Sequence, residues 1–320
     1  MRPCAEFPSF LTVDLDRPDP GFASLAGQLS RSGNTFLRIL LANYFTGDDA
    51  YDINALFDFI PSDTSGTLWK RFSSDMAGPS TLERTWKARP DFIGNYRKRL
   101  YGSIFPGLKT HTANISLFGQ SGFDFAKNDR VIYIVRHPLD VLISYADYTG
   151  QDIDSTLKMM TTPGLCIFND HHGGAFDLRG SWPQHVSSWL DHPPCPLLLV
   201  RYEELRTKTE SALRQLLTFL GAPIVDDRVT RAVAASQFER VREQEASTRF
   251  VETPETAKSG TFFRRGMTLQ WLRELSPEQA CRLADACGDI MQRVGYAHPR
   301  DVGVDGANAL QPVNLHPAEV

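Results

Sequence analysis

Val131-Ile132-Tyr133-Ile134-Val135 is an unbroken run of apolar, mostly β-branched residues. No polar position alternates with them, so the pattern predicts a strand buried on both faces, as in a parallel sheet. The run stops at Arg136-His137-Pro138. Leu139 to Tyr148 then reads as a helix, with Pro138 at the helix start, where its missing N–H is not needed. Leu197 to Val200 is a second buried run and ends at Arg201-Tyr202-Glu203-Glu204. A helix over 209–220 follows, with Leu213, Leu216, Leu217 and Leu220 on one face, Gly221 as its cap and Pro223 as a stop. Phe22 to Gly27 is a weaker strand candidate. After it, Gln28-Leu29-Ser30-Arg31-Ser32-Gly33-Asn34-Thr35 forms a polar turn. Leu37, Leu40, Leu41 and Tyr44 then recur at i, i+3, i+4 and i+7, the signature of an amphipathic helix.

From Thr46 to Leu108 the pattern is irregular, interrupted by Pro61, Gly66, Gly78 and Pro90. Such a region predicts variable helices and loops, where substrates are often met. Ser276-Pro277-Glu278 opens a helix running to about Val294. Beyond Pro299 there is no periodicity, so 1–300 is expected to be a single domain and 301–320 a flexible tail. Strands alternating with helices give a three-layer α/β fold whose central, mainly parallel β-sheet is flanked by helices. Ligands of such sheets bind outside the carboxyl ends of the strands. The polar clusters after Gly27, Val135 and Val200 all fall there, and they are expected to converge on one edge.

Composition narrows the function. The 320 residues are 42% hydrophobic and 22% charged, ordinary for a globular chain with a large core. The formal net charge of −4 lacks the basic excess of a nucleic-acid binder, so an anion site has to be a local cluster. Cys4, Cys166, Cys195, Cys281 and Cys287 are odd in number, scattered and free of any C-x-x-C spacing. Reduced thiols in a cytoplasmic protein are expected. Neither a signal peptide nor an apolar stretch of membrane-spanning length is found.

A glycine-containing turn that enters a helix offers free N–H groups and the positive end of the helix dipole to an anion. In 30–35 Arg31 adds a cation, and Ser32 and Thr35 add hydroxyls; an ordinary strand–helix turn would have the same look. The turn is not a Walker A loop: five residues separate Gly27 from Gly33, and no Gly-Lys-Ser/Thr follows, so no magnesium requirement is expected. Arg136 at a strand end and Ser144 two helical turns later can grip one phosphate from two sides. The alternative is a surface pair between Arg136 and Asp140, worth little. Arg97-Lys98-Arg99 reads as a solvated helix face, and Asp170-His171-His172 as a polar loop rather than a metal site. Trp182 and Trp189 read as core or pocket wall.

Taken in order, these segments resemble the sulfotransferases that use 3′-phosphoadenosine 5′-phosphosulfate (PAPS). Residues 30–36 are similar to the family's 5′-phosphosulfate loop, and Tyr133 to Tyr145 to its 3′-phosphate motif, with Arg136 and Ser144 at the two binding positions. Leu108-Lys109-Thr110-His111 matches its Lys-Thr-His. Gly180-Ser181-Trp182 and Arg201-Tyr202-Glu203-Glu204 resemble further family segments, and Phe262-Phe263-Arg264-Arg265-Gly266 resembles its C-terminal motif, with Trp271 following. The matches span about residues 22 to 295.

The resemblance implies a P-loop-like version of the fold and transfer of a sulfuryl group to a hydroxyl or amine of a small acceptor. Adenosine 3′,5′-bisphosphate (PAP) would be released, with no metal. His111 would be the base, with Lys109 and Arg31 stabilising charge. Arg31, Ser32, Gly33, Asn34, Thr35, Phe36, Arg136, Ser144, Tyr202, Arg264, Arg265 and Gly266 would bind the donor. Three positions depart from the pattern. Arg31 replaces a lysine and cannot donate a proton at neutral pH. Phe36 replaces a tryptophan, and Leu269-Gln270 replaces a Gly-Asp, so the 264–270 loop is expected to close differently. A P-loop-like nucleotide-dependent kinase or hydrolase and a non-catalytic nucleotide-binding protein are the competing readings; the first would need a Gly-Lys-Ser/Thr or a metal-holding acidic strand end, and the second no turnover.

Overall fold

The computed structural model describes residues 23–27, 31–47, 50–73, 81–100, 103, 105–168 and 175–313. Met1 to Phe10, Ser30, Gly78 and Asp170-His171-His172 lie outside the described residues.

Four strands form one parallel sheet in the spatial order Gly107–Thr110, Ala23–Gly27, Arg130–Val135, Leu197–Arg201. The apolar run at 131–135 does what its pattern predicts. Val131, Tyr133 and Val135 enter one core with Leu139, Leu142, Trp182, Trp189 and Leu283. Ile132 and Ile134 enter another, on the opposite face, with Leu37, Leu40, Leu41, Leu213, Leu216 and Leu217. A period of two with both faces apolar can only be satisfied by helices above and below, giving the three-layer α/β fold. The helix Asn34–Thr46 covers one face and Pro138–Thr149 the other. Pro138 opens its helix as expected, and Gly221 caps Thr209–Leu220 at φ 67°. Trp182 and Trp189 are fully buried.

Four readings of the sequence need correction. Pro90 does not break the chain; it lies inside the 18-residue helix Leu82–Arg99. A proline there leaves the carbonyl four residues back without its N–H donor. Gln120 supplies the donor instead: its Nε2 bonds Trp86 O at 3.1 Å and Lys87 O at 3.0 Å. Arg97 is not solvated with its neighbours, because its guanidinium reaches the buried Asp129 carboxylate and Asp124 O. The helix after Ser276 ends at Cys287; Gly288, at φ 55° and ψ −145°, separates it from a short helix Asp289–Arg293. The stretch after Pro299 is tied down as far as Gln311. Ala297 and Ala309 pair through main chain, Gln311 N–H bonds Gly295 O at 2.8 Å, and Arg201 Nη1 bonds Gln311 O at 2.6 Å. Turn-rich composition hid this order, since it depends on backbone groups and a distant arginine.

Among the described residues no helix is long and apolar enough to cross a membrane, and no group of three or more His, Cys, Asp or Glu could hold a metal. Cys166, Cys195, Cys281 and Cys287 are free thiols.

Two histidines are packed into the core beside the sheet. Burial pushes His137 down to about 3, with Arg136 adding to the effect, and His185 down to about 4. Both folded values lie below the unfolded value of about 6.5. Below about pH 6.5 the unfolded chain therefore binds protons that the folded chain refuses, and stability falls as pH drops. Urea midpoints are expected to be flat above pH 7 and to decline steadily between about pH 6.5 and 4. A midpoint that holds level to pH 4.5 would contradict the buried, neutral state of these rings.

Candidate active site

The sheet register aligns the strand ends. Leu25 pairs with Lys109, Gly27 with Ile134, and Val135 with Arg201. The loops leaving these ends therefore meet at one edge, as the polar clusters suggested. Arg31, Gly33, Asn34, Thr35, Phe36, Lys109, His111, Arg136, Ser144, Tyr202, Arg264, Arg265 and Gly266 all line a single cleft there. Ser32, the remaining candidate, is buried beside it and is not part of the lining.

Gly33 starts the Asn34–Thr46 helix at φ 106°, in the left-handed region, with no side-chain cap on the first turn. A Cβ at Gly33 would collide with the Tyr202 ring, so glycine answers both a conformational and a packing demand. Arg31 also has positive φ, 90°, which stores about 1–3 kcal/mol of strain in a non-glycine residue. Arg136 holds it there by donating from Nη1 to Arg31 O at 3.1 Å. The Arg31 side chain crosses the cleft: Nε donates to Ser144 Oγ at 3.0 Å, Nη2 to Phe262 O, and the guanidinium lies 4.1 Å from the Phe262 ring centroid. Burial, with Arg136 adding, pushes Arg31 down to about 10, which leaves it charged at neutral pH.

Arg136 donates from Nη2 to Met267 O at 3.1 Å, and its guanidinium lies 4.4 Å from the Tyr202 ring centroid. The surface pair with Asp140 is not formed. Both residues are buried, and the Asp140 carboxylate accepts the N–H of Leu269 at 2.7 Å and of Trp271 at 3.1 Å. Asp140 thus fixes the far side of the 264–270 loop. Leu269 has φ 57°, a left-handed conformation that favours glycine. Within that loop Arg264 bonds Gln270 Oε1 at 2.9 Å, and Arg265 pairs with Glu274. Gly266, at φ 60°, lies where a Cβ would strike the Phe238 ring.

Backbone contacts present Lys109 and His111. Lys109 N–H bonds Pro61 O and Lys109 O accepts Asp63 N–H, both at 2.8 Å. His111 O meets His185 Nε2 at 3.1 Å, and His185 Nδ1 meets the Tyr133 hydroxyl at 2.9 Å. A carbonyl only accepts, so His185 carries its proton on Nε2 and takes one from Tyr133 on Nδ1. Lys109 Nζ lies 3.5 Å from Glu252 Oε2, and Arg38 Nη1 lies 2.7 Å from Glu252 Oε1. Burial works to raise the Glu252 carboxyl, but Lys109 and Arg38 outweigh it and hold it down to about 2.

Sequence reading found neither Arg38, Glu252 nor His185. Glu252 sits in an irregular segment 143 positions beyond Lys109, with no spacing to reveal it. Tyr148, four residues after Ser144 on one helix, could have been found by periodicity and also lines the cleft.

The cleft has the chemistry of an anion site. Arg31 Nη1, Arg136 Nε and the Asn34 side-chain amide are buried atoms that make no hydrogen bond among the described residues. Unpaired buried N–H groups are costly, and cations above all, so their gathering beside an uncapped helix start matches a ligand that carries phosphate or sulfate oxygens. A family model for the sulfotransferase domain matches residues 106–295. The chain belongs to the sulfotransferase domain family. Sulfotransferase 2A6 of Rattus norvegicus is 27% identical over 177 residues, 55% of this chain and 60% of that protein. The 3-beta-hydroxysteroid sulfotransferase of Cavia porcellus is 28% identical over 178 residues, with the same two coverages. The aligned region thus spans about three fifths of these curated sulfotransferases. The fold extends further than the aligned sequence. Mouse sulfotransferase SULT7A1, solved with PAP, gives a TM-score of 0.52 at 16% identity over 86% of both chains. Retinol dehydratase, solved with androsterone and PAP, gives 0.52 at 15% identity over 89% of this chain and 84% of its own.

Proposed function

We propose that this sulfotransferase domain moves a sulfuryl group from PAPS to a hydroxyl or amine of a small acceptor and releases PAP. The observation that carries the reading is the set of buried N–H groups on Arg31, Arg136 and Asn34 that have no partner among the described residues, in one cleft with Lys109 and His111. PAP in the solved relatives, and steroid in the names of curated ones, support a nucleotide donor and an acceptor of small-molecule size.

The acceptor oxygen attacks sulfur, an O–S bond forms, and the S–O bond to the 5′-phosphate breaks with its electron pair leaving on PAP. The acceptor's proton passes to the His111 imidazole. Glu252, held down to about 2, is too weak a base for that step. Lys109, beside His111 on the same segment, offers its cation to the transferred group, with the first-turn amides after Gly33. Arg31 spans both ends of the donor: its main chain belongs to the first loop and its Nε to Ser144. Arg136, Ser144 and the Arg264–Gly266 loop hold the 3′-phosphate, and Phe36 and Tyr202 flank the base. Positive charge comes from these side chains, so the step needs no metal.

Incubation with 35S-labelled donor and a panel of phenols, alcohols and amines, in EDTA, is expected to give labelled product. PAP at a hundred times its dissociation constant should stabilise the fold by about 2.7 kcal/mol. Absence of any PAP-induced stabilisation, or turnover of ATP that depends on magnesium, would overturn the assignment.

A further inference from the structure

The side of Lys109–Thr112 turned away from the cleft carries its own polar system. Lys109 and His111 line the cleft, whereas Thr110 and Thr112 are buried and take no part in its lining. Thr112 Oγ1 donates to Asp177 Oδ1 at 3.0 Å and accepts from Arg89 Nη2 at 2.9 Å. Arg179 grips the other Asp177 oxygen from Nε and Nη2, at 2.8 Å each, and its Nη1 reaches the Tyr145 hydroxyl at 3.0 Å. Arg89 also pairs with Asp63. Asp63, Arg89, Asp177 and Arg179 are all buried.

Burying two carboxylates and two guanidinium groups brings little net stability, since apolar residues of similar volume serve a core as well. Their place directly behind the segment that carries His111 therefore asks for a functional reason. Burial works to raise the Asp177 carboxyl, but Arg179 first and His111 second outweigh it and hold it below the usual carboxylate range. That carboxylate favours the protonated form of His111, and the Thr112 hydroxyl ties it to the residue next to His111.

We propose that Asp177 is a positioning residue for His111: through Thr112 it fixes the segment bearing the imidazole, and its buried charge favours the imidazolium formed when the acceptor gives up its proton. The inference rests on the reading of His111 as the base. Other charges share the surroundings. Lys109, Arg31, Arg136, Arg264 and Arg265 line the same cleft and oppose an imidazolium; Glu252 favours it but is matched by Lys109 and Arg38. Behind the segment Arg89 and Arg179 oppose it, Asp63 is taken up by Arg89, and His185 is neutral. Of the carboxylates named here, Asp177 is the one whose charge is tied through Thr112 to the segment bearing His111.

The test is the titration of His111 in the full chain, followed by NMR with labelled histidine and assigned by the signal missing from His111→Ala. Asp177→Asn is expected to lower the His111 pKa by about half a unit or more, because an opposite charge is removed. Arg179→Gln is expected to raise it, because a like charge is removed and Asp177 is left less compensated. The acid limb of the kcat/KM profile should move with each. A merely structural role would lower stability without opposite shifts. If Asp177→Asn does not fold, Arg179→Gln decides alone: an unchanged or lowered titration there overturns the proposal. Opposite shifts in a chain that transfers no sulfuryl group would refute the enzymatic reading and leave the coupling standing. Unchanged titrations in an active enzyme would refute the coupling alone.

Discussion

Replacing His111 by alanine is expected to cut sulfuryl transfer by about 10²–10⁴-fold, the usual worth of a positioned base, while PAP affinity stays within a few-fold of wild type. The separation follows from how the residue is held. Its carbonyl, not its ring, accepts from His185, and its neighbours Lys109 and Thr112 are fixed by Pro61, Asp63, Arg89 and Asp177. Losing a half-buried imidazole leaves that frame in place. The loss belongs to kcat, and added imidazole should restore part of it. The checks are single-turnover transfer of labelled sulfuryl and calorimetric titration with PAP. Transfer at the wild-type rate would remove His111 from the mechanism and move the search for a base to the acceptor side.

That such an experiment can be designed from the chain reflects what its sequence makes plain. The runs at 131–135 and 197–200 announce strands buried on two faces, and the sheet uses them that way, so the convergence of three loops follows from geometry alone. What stayed hidden depends on partners far off in sequence. Pro90 looks like a breaker until Gln120 is seen to bond the Trp86 carbonyl. Glu252 and Asp177 look like any surface acid until folding surrounds them with Arg38 and Lys109 in one case and Arg179 and Thr112 in the other. Arg31 illustrates both sides. Its cation was legible in the first loop; the reach of its Nε to Ser144, 113 residues away, was not. Local pattern reports which backbone forms and which face is buried. It does not report pairings between charges, which follow from the fold rather than cause it.

Reversing Arg136 to glutamate is expected to raise the PAP dissociation constant by about a hundredfold or more. A charge-assisted hydrogen bond to phosphate contributes about 1.5–3 kcal/mol, each 1.4 kcal/mol is tenfold in affinity, and the new carboxylate adds repulsion. Arg136 has a second task that could give a similar loss by another route. It ties Arg31 O and Met267 O together and stacks on Tyr202, so its removal also loosens the loops around the cleft. The two routes differ in what else they weaken. Loss of a 3′-phosphate contact penalises PAP and spares adenosine 5′-phosphate, which lacks that group; collapse of the loops penalises both. Calorimetry with the two nucleotides should therefore show the PAP preference of wild type nearly abolished in Arg136→Glu. Arg136→Lys should be intermediate, because it keeps the charge but not the fork that reaches two carbonyls and still leaves Nε for the ligand. Equal losses for both nucleotides would reduce Arg136 to a loop staple, and unchanged PAP affinity would reject its contact with phosphate.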